Sequence, residues 1–213
     1  MVPRHELSQN RFYDWFKPDV EEFPETNTID RLTSAYVYNF NLGEELVGFS
    51  SGAVVWDVGC GYGSGTEGLQ QKFSEQRFLG VDPFRIQSLT GERINVPIVE
   101  GSVADLSDVV KIIDPVFYPP TVILLRNVMQ LLDLAQQHYE MPGLLEDAFL
   151  GIDGVLAKGG KVLIYDEDAG DETYERYVQL IKDLGLGYKG EVKPVIRANR
   201  GGCLLYLQLI KGL

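Results

Sequence analysis

The segment DVGCGYGSG, residues 57–65, constrains the fold more than any other part of the chain. It joins a short apolar run, residues 53–58, to a stretch with helical periodicity that begins at residue 66. Glycines at alternate positions let the backbone turn tightly and approach a ligand with no Cβ in the way. The amides and the positive dipole end of the following helix point to the same place. The segment therefore predicts a ligand-binding turn between a strand and a helix.

Segments typical of strands and helices alternate after this turn. The further strands are predicted at residues 77–82, 97–101, 121–127 and 160–168, and helices at 66–74, 85–93, 106–114, 128–157 (interrupted at 141–143) and 171–185. Two closing strands, residues 187–196 and 202–210, flank the turn ANRGG and predict an antiparallel hairpin. This order predicts an α/β fold with a doubly wound, mostly parallel seven-stranded sheet and helices on both faces.

The N-terminal part has a different composition. Residues 1–28 are rich in aromatic side chains and predict an arm that packs on the main domain, residues 29–213, although a disordered tail is the alternative. Residues 29–49 follow a cap candidate, Asn27–Thr28, and predict one helix that is weakened at residues 41–43.

Composition narrows the classes of partner. The length of 213 residues fits one domain, and 31 acidic against 19 basic residues give a net charge of −12. This field disfavours nucleic acid and anionic membranes, and no apolar run is long enough for a membrane span. Two distant cysteines, Cys60 and Cys203, and two histidines cannot form a zinc cluster. We expect a cytoplasmic protein with free thiols and no metal, as a monomer or homodimer.

An acidic residue, Asp82, ends the second predicted strand. A carboxylate there can accept hydrogen bonds from both ribose hydroxyls of a nucleoside cofactor, and capping of the next helix is the alternative. A dinucleotide fingerprint also fits, with Gly63, Gly65 and Gly68 followed by Asp82, but it begins four residues after Gly59, the first glycine beyond the strand. Nucleotide-dependent oxidoreductases therefore remain a minor alternative.

The two motifs resemble those of the class I S-adenosylmethionine-dependent methyltransferases. VVWDVGCGYGSGT, residues 54–66, is similar to their first motif, and LGVDPF, residues 79–84, is similar to their second. The strand order and the closing hairpin are also similar, and the resemblance covers about residues 50–213. It implies a Rossmann-like sheet, S-adenosylmethionine as cofactor and methyl transfer as the activity.

The resemblance also implies which residues bind the cofactor. Those expected near its methionine part are Asp57, Gly59, Cys60, Gly61 and Gly63, and those after the fourth strand are Leu125, Arg126 and Asn127. Those expected at the ribose and adenine are Asp82, Pro83, Phe84, Ser102 and Val103. Ser102 stands where the family usually has an acidic residue, so Asp105 is an alternative for that role.

In many small-molecule members of the family an N-terminal segment closes over the cofactor as a lid. Here the resemblance makes the arm, residues 1–28, a possible lid, and packing on the back of the sheet is the alternative. The aromatic candidates for that role are Tyr13, Trp15, Tyr36 and Tyr38.

The sequence does not identify the catalytic residue. LLRNVMQLLD, residues 124–133, resembles a segment of small-molecule O-methyltransferases in which a histidine acts as general base. Gln130 occupies the position of that histidine and cannot accept a proton near neutral pH. The catalytic candidates are His138, Tyr13 and Gln130, and a solvated side chain is the alternative interpretation of His138. Residues 166–168 are acidic and follow the fifth strand, and we interpret them as a solvated turn.

The expected function is methyl transfer to a small-molecule acceptor. A protein or RNA methyltransferase is an alternative, as is a non-catalytic cofactor-binding partner subunit. A local basic patch supports binding of an anionic substrate or RNA, and it comprises Lys189, Lys193, Arg197, Arg200 and Lys211.

Overall fold

The computed structural model describes residues 28–46, 52–83, 93–138, 142–167, 169–195 and 205–212. It contains a seven-stranded sheet with the order β3-β2-β1-β4-β5-β7-β6. The strands are β1 (Val54–Val58), β2 (Arg77–Asp82), β3 (Ile98–Glu100), β4 (Val122–Arg126), β5 (Lys161–Tyr165), β6 (Tyr188–Pro194) and β7 (Leu205–Lys211). Strand β7 is antiparallel to β5 and β6, and the other pairs are parallel. The predicted sheet and its closing antiparallel strand pair are confirmed, while the predicted turn ANRGG, residues 198–202, lies outside the described residues.

Helices cover both faces of this sheet, as predicted. They are α1 (Ile29–Asn39), α2 (Leu42–Glu45), α3 (Ser64–Lys72), α4 (Leu106–Val109), α5 (Met129–His138), α6 (Leu144–Val155) and α7 (Asp171–Asp183). One core lies between the sheet and α4–α7, and a second lies between the sheet and α1–α3. In β1, Trp56 belongs to the first core and Val55 to the second, which is the alternation expected of a strand.

Two predicted helices are wrong in extent. The single helix over residues 29–49 is broken, because Asn41 adopts a left-handed backbone with φ of 49° and separates α1 from α2. The helix over residues 106–114 ends at Val109, where the following amides bond back in tight turns. Thr28 precedes α1, but its side chain makes no capping hydrogen bond. The predicted helix 85–93 and the arm before residue 28 lie outside the described residues.

A buried carboxylate fastens α2 to the far edge of the sheet. Glu45 Oε1 accepts from Lys193 Nζ at 2.8 Å and from the Tyr206 hydroxyl at 2.9 Å. Its Oε2 accepts from Lys161 Nζ at 2.8 Å and from Gln208 Nε2 at 2.5 Å. Burial would raise the pKa of Glu45, but these hydrogen bonds lower it below its ordinary value.

This network changes the interpretation of the basic patch. Lys193 is committed to Glu45, and Lys211 pairs with Asp153 while donating to the Leu156 carbonyl. These two lysines therefore stabilise the fold, which leaves less charge for an anionic partner. Within the described part of the chain, no helix is both long and apolar enough to cross a membrane.

Helix α1 packs very closely on α3, the helix that follows the glycine segment. A Cβ at Gly68 would lie 1.5 Å from Thr33 Oγ1 and 2.8 Å from Thr33 Cβ, and one at Gly65 would lie 2.9 Å from Tyr36 Cε2. Gly65 and Gly68, which a dinucleotide fingerprint would use, therefore let α1 approach α3. This contact brings Tyr36 over the start of α3.

We expect Gly68→Ala to destabilise the protein by about 1–3 kcal/mol, because the new methyl group forces α1 away from α3. Gly154→Ala is the matched control, since Gly154 is exposed on α6 with nothing within 4 Å of its Cβ position. That change should stabilise the protein by up to about 1 kcal/mol through helix propensity. Urea unfolding of both variants measures the difference, and equal stabilities would contradict the close packing of α1 on α3.

Candidate cofactor site

The glycine turn follows β1 at the carboxyl edge of the parallel strands. Gly59, Gly61 and Gly63 have φ values of 80°, 57° and 79°, a region that glycine occupies without strain. A Cβ at Gly59 would lie 2.4 Å from Val128 Cγ2, and one at Gly63 would lie 2.2 Å from Ile98 Cδ1. At Gly61, apart from its chain neighbours, no heavy atom of the described residues lies within 4 Å of that position. The described residues therefore leave space beside the middle of the turn, where a ligand can approach the backbone.

Asp82 fixes the middle of this turn. The Gly61 amide donates to Asp82 Oδ2 at 2.8 Å, and the Asp82 side chain is buried at the end of β2. The Gly59 amide donates to the Val81 carbonyl at 2.7 Å, which adds a second tie between the turn and β2. Asp82 thus shapes the turn, a role that neither interpretation of the sequence included.

Asp57 is a fully buried carboxylate directly beneath the turn. Its Oδ2 accepts from the Thr66 hydroxyl at 2.6 Å, while its Oδ1 is buried with no hydrogen-bond partner within the described residues. Burial raises the pKa of Asp57 to about 6, although the Thr66 and Tyr36 hydroxyls and the Arg126 guanidinium oppose that rise. A buried carboxylate with one unpartnered oxygen is costly unless a ligand supplies a donor.

Arg126 and Tyr36 complete the site from β4 and α1. The Arg126 guanidinium lies over the Tyr36 ring, 5.7 Å from its centroid, in a cation–π arrangement. Arg126 Nε is buried without a hydrogen-bond acceptor in the described part of the chain. Tyr36, an aromatic lid candidate in the sequence, is instead a buried core residue of α1, and burial raises its pKa well above the ordinary value.

The other predicted site residues lie at different depths. Leu125 and Val103 belong to the core between the sheet and α4–α7, so their side chains point away from Asp57. Ser102 Oγ accepts from the Ala104 amide at 3.3 Å and caps a short 3-10 turn, Val103–Asp105. Cys60 is buried, with the pKa of its thiol raised by burial, whereas Pro83 is half-buried.

The catalytic candidates are only partly described. Gln130 is half-buried in the first turn of α5, and His138 is the last residue of that helix. Tyr13 and Phe84 lie outside the described residues.

Asp166 corrects our interpretation of the acidic residues after β5. It is buried rather than solvated, and burial raises its pKa to about 6. The Tyr177 hydroxyl donates to Asp166 Oδ2 at 3.3 Å. The helix that follows begins after Gly170 without a side-chain cap. Glu167 is exposed, as predicted, and Asp168 lies outside the described residues.

The residues at the turn fit the amino-acid end of S-adenosylmethionine. An α-ammonium group needs acceptors, and Asp57 offers a buried, unpartnered carboxylate oxygen. An α-carboxylate needs donors. Arg126 lies on the same face of the sheet as Asp57, and its Nε is a buried donor without an acceptor among the described residues. The open side of Gly61 supplies space between β1 and β2. A zwitterionic ligand satisfies both orphaned atoms at once.

Three solved structures that align with this chain are methyltransferases. The TehB-like S-adenosylmethionine-dependent methyltransferase of Corynebacterium glutamicum aligns at TM-score 0.56 and 16% identity, over 82% of this chain and 87% of that one. The N-methyltransferase NodS of Bradyrhizobium japonicum aligns at TM-score 0.53 and 16% identity, over 86% and 99%. The plantazolicin methyltransferase BpumL, solved with a monoazolic desmethylPZN analog and S-adenosylhomocysteine, aligns at TM-score 0.58 and 12% identity, over 98% and 96%.

The chain has the class I methyltransferase fold. No family model matches it, and no curated protein is similar to it in sequence. The fold predicted from the two sequence motifs is therefore confirmed by structure, while the activity rests on the site itself.

The raised pKa of Asp57 predicts a pH-dependent stability. The folded value of about 6 exceeds the ordinary 3.8, so between these values the native state binds more protons than the unfolded chain. The contribution of Asp57 to the free energy of unfolding should therefore fall as pH rises through this window, by at most about 3 kcal/mol. Asp57→Asn keeps an acceptor for Thr66 but does not titrate, so the free energy of unfolding of the variant minus that of the wild type should increase from about pH 4 to about pH 7. Urea unfolding across that range measures it, and a constant difference would contradict the raised pKa.

Proposed function

We propose that the protein is an S-adenosylmethionine-dependent methyltransferase that acts on a small-molecule acceptor. The observation that carries the proposal is the pair of buried, unsatisfied atoms, Asp57 Oδ1 and Arg126 Nε, on the side of the sheet that α1 covers. A carboxylate and a guanidinium match the ammonium and the carboxylate of an amino acid, which this cofactor carries at one end.

Each residue of the site has a binding role in this proposal. Asp57 would accept from the ammonium group, and Arg126, which lies over the Tyr36 ring, would donate to the carboxylate. Asp82 would accept from the ribose hydroxyls while it keeps Gly61 in its left-handed conformation. The bound cofactor supplies an electrophilic methyl group on a positively charged sulfur. The chain contributes chiefly by positioning, because alignment of nucleophile and methyl group can supply most of the acceleration.

The same geometry disfavours a dinucleotide as the cofactor. A pyrophosphate needs backbone amide donors at the glycine turn, but the Gly61 amide already donates to Asp82. Two carboxylates, Asp57 and Asp82, would also repel the phosphates at close range. We therefore favour a nucleoside cofactor with a zwitterionic end over NAD.

Two features support a small acceptor over RNA. The net charge of −12 opposes contacts with many phosphates. Lys193 and Lys211, two members of the basic patch, are engaged within the fold. Gln130 in the first turn of α5 supplies no base, which suits an acceptor such as an amine that reacts without one.

The cofactor proposal predicts that S-adenosylhomocysteine stabilises the protein. At 100 times its dissociation constant it should add about 2.7 kcal/mol, or about 5–10 °C in melting temperature, whereas NAD should have no such effect. Asp82→Asn should raise the dissociation constant roughly tenfold to a hundredfold, because charge-assisted bonds to the ribose are weakened. The unliganded variant should melt nearly as the wild type does, since its side-chain oxygen still accepts from the Gly61 amide.

Glu100→Gln is the matched control for that experiment. Glu100 on β3 lies opposite Asp82 on β2 in the register of the sheet, and it is exposed. The change therefore removes one negative charge from the same edge of the sheet without altering the glycine turn. Its affinity for S-adenosylhomocysteine should stay within about twofold of wild type. Stabilisation by NAD without stabilisation by S-adenosylhomocysteine would overturn the proposal.

The acceptor class can be tested separately with S-adenosylmethionine that carries a radioactive methyl group. A cell extract is divided into small molecules, protein and RNA, and each fraction is incubated with the wild type or with Asp82→Asn. We expect label to enter the small-molecule fraction with the wild type and much less with the variant. Labelling confined to protein or RNA would reject the small-molecule acceptor and keep the methyltransferase.

A further inference from the structure

Asn127 joins the two loops that follow β4 and β5. It has a left-handed backbone with φ of 58°, a conformation that asparagine tolerates better than most non-glycine residues. Its backbone amide donates to the Tyr165 carbonyl at 2.7 Å, and its side-chain Oδ1 accepts from the Glu167 backbone amide at 2.9 Å. Both the main chain and the side chain of one residue therefore bind the same neighbouring loop.

The residue between Tyr165 and Glu167 is itself held in place. Asp166 is buried, and the Tyr177 hydroxyl on α7 donates to its Oδ2 at 3.3 Å. The Glu167 amide therefore follows an anchored residue, and Asn127 attaches the β4–α5 loop to it.

The two residues on either side of Asn127, Arg126 and Val128, contact the cofactor site. Val128 follows Asn127 and packs on the glycine turn, with Cγ2 only 2.4 Å from where a Cβ on Gly59 would stand. Arg126 precedes Asn127 and lies over Tyr36. A shift of the β4–α5 loop would therefore move the donor expected for the carboxylate and loosen the support of the turn together.

We propose that Asn127 is a positioning residue for cofactor binding. Its side-chain acceptor holds the Glu167 amide, and this bond fixes Arg126 and Val128 relative to Asp57 and the glycine turn. Asn127 acts through its neighbours, whereas the family resemblance implies direct contact with the cofactor. The inference rests on the proposed function for its effect on affinity.

Three substitutions test this role. Asn127→Gly keeps the left-handed backbone and removes the acceptor, so we expect its dissociation constant for S-adenosylhomocysteine to rise about tenfold. Asn127→Asp keeps an acceptor oxygen for the Glu167 amide and should bind within about twofold of wild type. Glu167→Ala is the control, since its exposed side chain changes while its amide remains. Isothermal titration calorimetry gives the affinities, and the unliganded melting temperature reports any general loss of stability.

Hydrogen exchange in the unliganded protein separates this inference from the cofactor proposal. We expect the peptide that contains Gly59–Gly63 to exchange faster in Asn127→Gly than in wild type, Asn127→Asp or Glu167→Ala. If the wild type does not bind S-adenosylhomocysteine, the proposed function fails while the exchange result still decides the role of Asn127. Unchanged affinity and unchanged exchange in Asn127→Gly would overturn the inference. Weakened binding in Asn127→Asp would also overturn the inference. That result would indicate that the side-chain NH₂ group of Asn127 contacts the cofactor directly.

Discussion

The burial of Asp57 at the end of the central strand is the constraint on which the site depends. Burial of a carboxylate with no exposed surface costs free energy, and the Thr66 hydrogen bond, the Tyr36 hydroxyl and the Arg126 guanidinium compensate for only part of that cost. Thr66 can reach Asp57 because the glycine turn reverses the chain within a few residues, and α3 then begins beside β1. The turn, the helix and the buried charge are therefore a single structural unit.

A second carboxylate, Asp82, gives this unit its shape. Its bond to the Gly61 amide holds the turn in a left-handed conformation without the help of a ligand. Preorganisation of this kind lowers the entropic cost of binding, because the backbone is already ordered. The same bond explains why replacement of Asp82 by alanine is a poor test of ribose binding, since it would also release the turn.

The sequence predicted the sheet, its order of elements and the glycine turn, because these depend on local periodicity and on glycine spacing. It did not predict the environment of Asp166, since the acidic residues after β5 look solvated until Tyr177 on α7 covers one of them. It also did not predict the place of Tyr36, which depends on the approach of α1 to Gly65 and Gly68. Contacts between segments distant in the chain decide both environments. For Asp166 no local pattern signals such a contact, whereas for Tyr36 the glycines spaced along α3 indicate that another helix approaches closely.

The acidic composition takes on a different meaning in this fold. Buried carboxylates serve repeatedly as acceptors for backbone amides: Asp82 accepts from Gly61, and Glu67 accepts from Asn95 and Val96. Asp82 fastens the glycine turn, and Glu67 fastens the segment that leads into β3. Part of the net charge of −12 is thus internal structure rather than surface field, so it weighs less in the choice of partners than the sequence suggests. The stronger argument about the ligand is local, because the amide of Gly61 is already bound to Asp82, and the buried atoms without hydrogen-bond partners include Asp57 Oδ1 and Arg126 Nε on the side of the sheet that α1 covers.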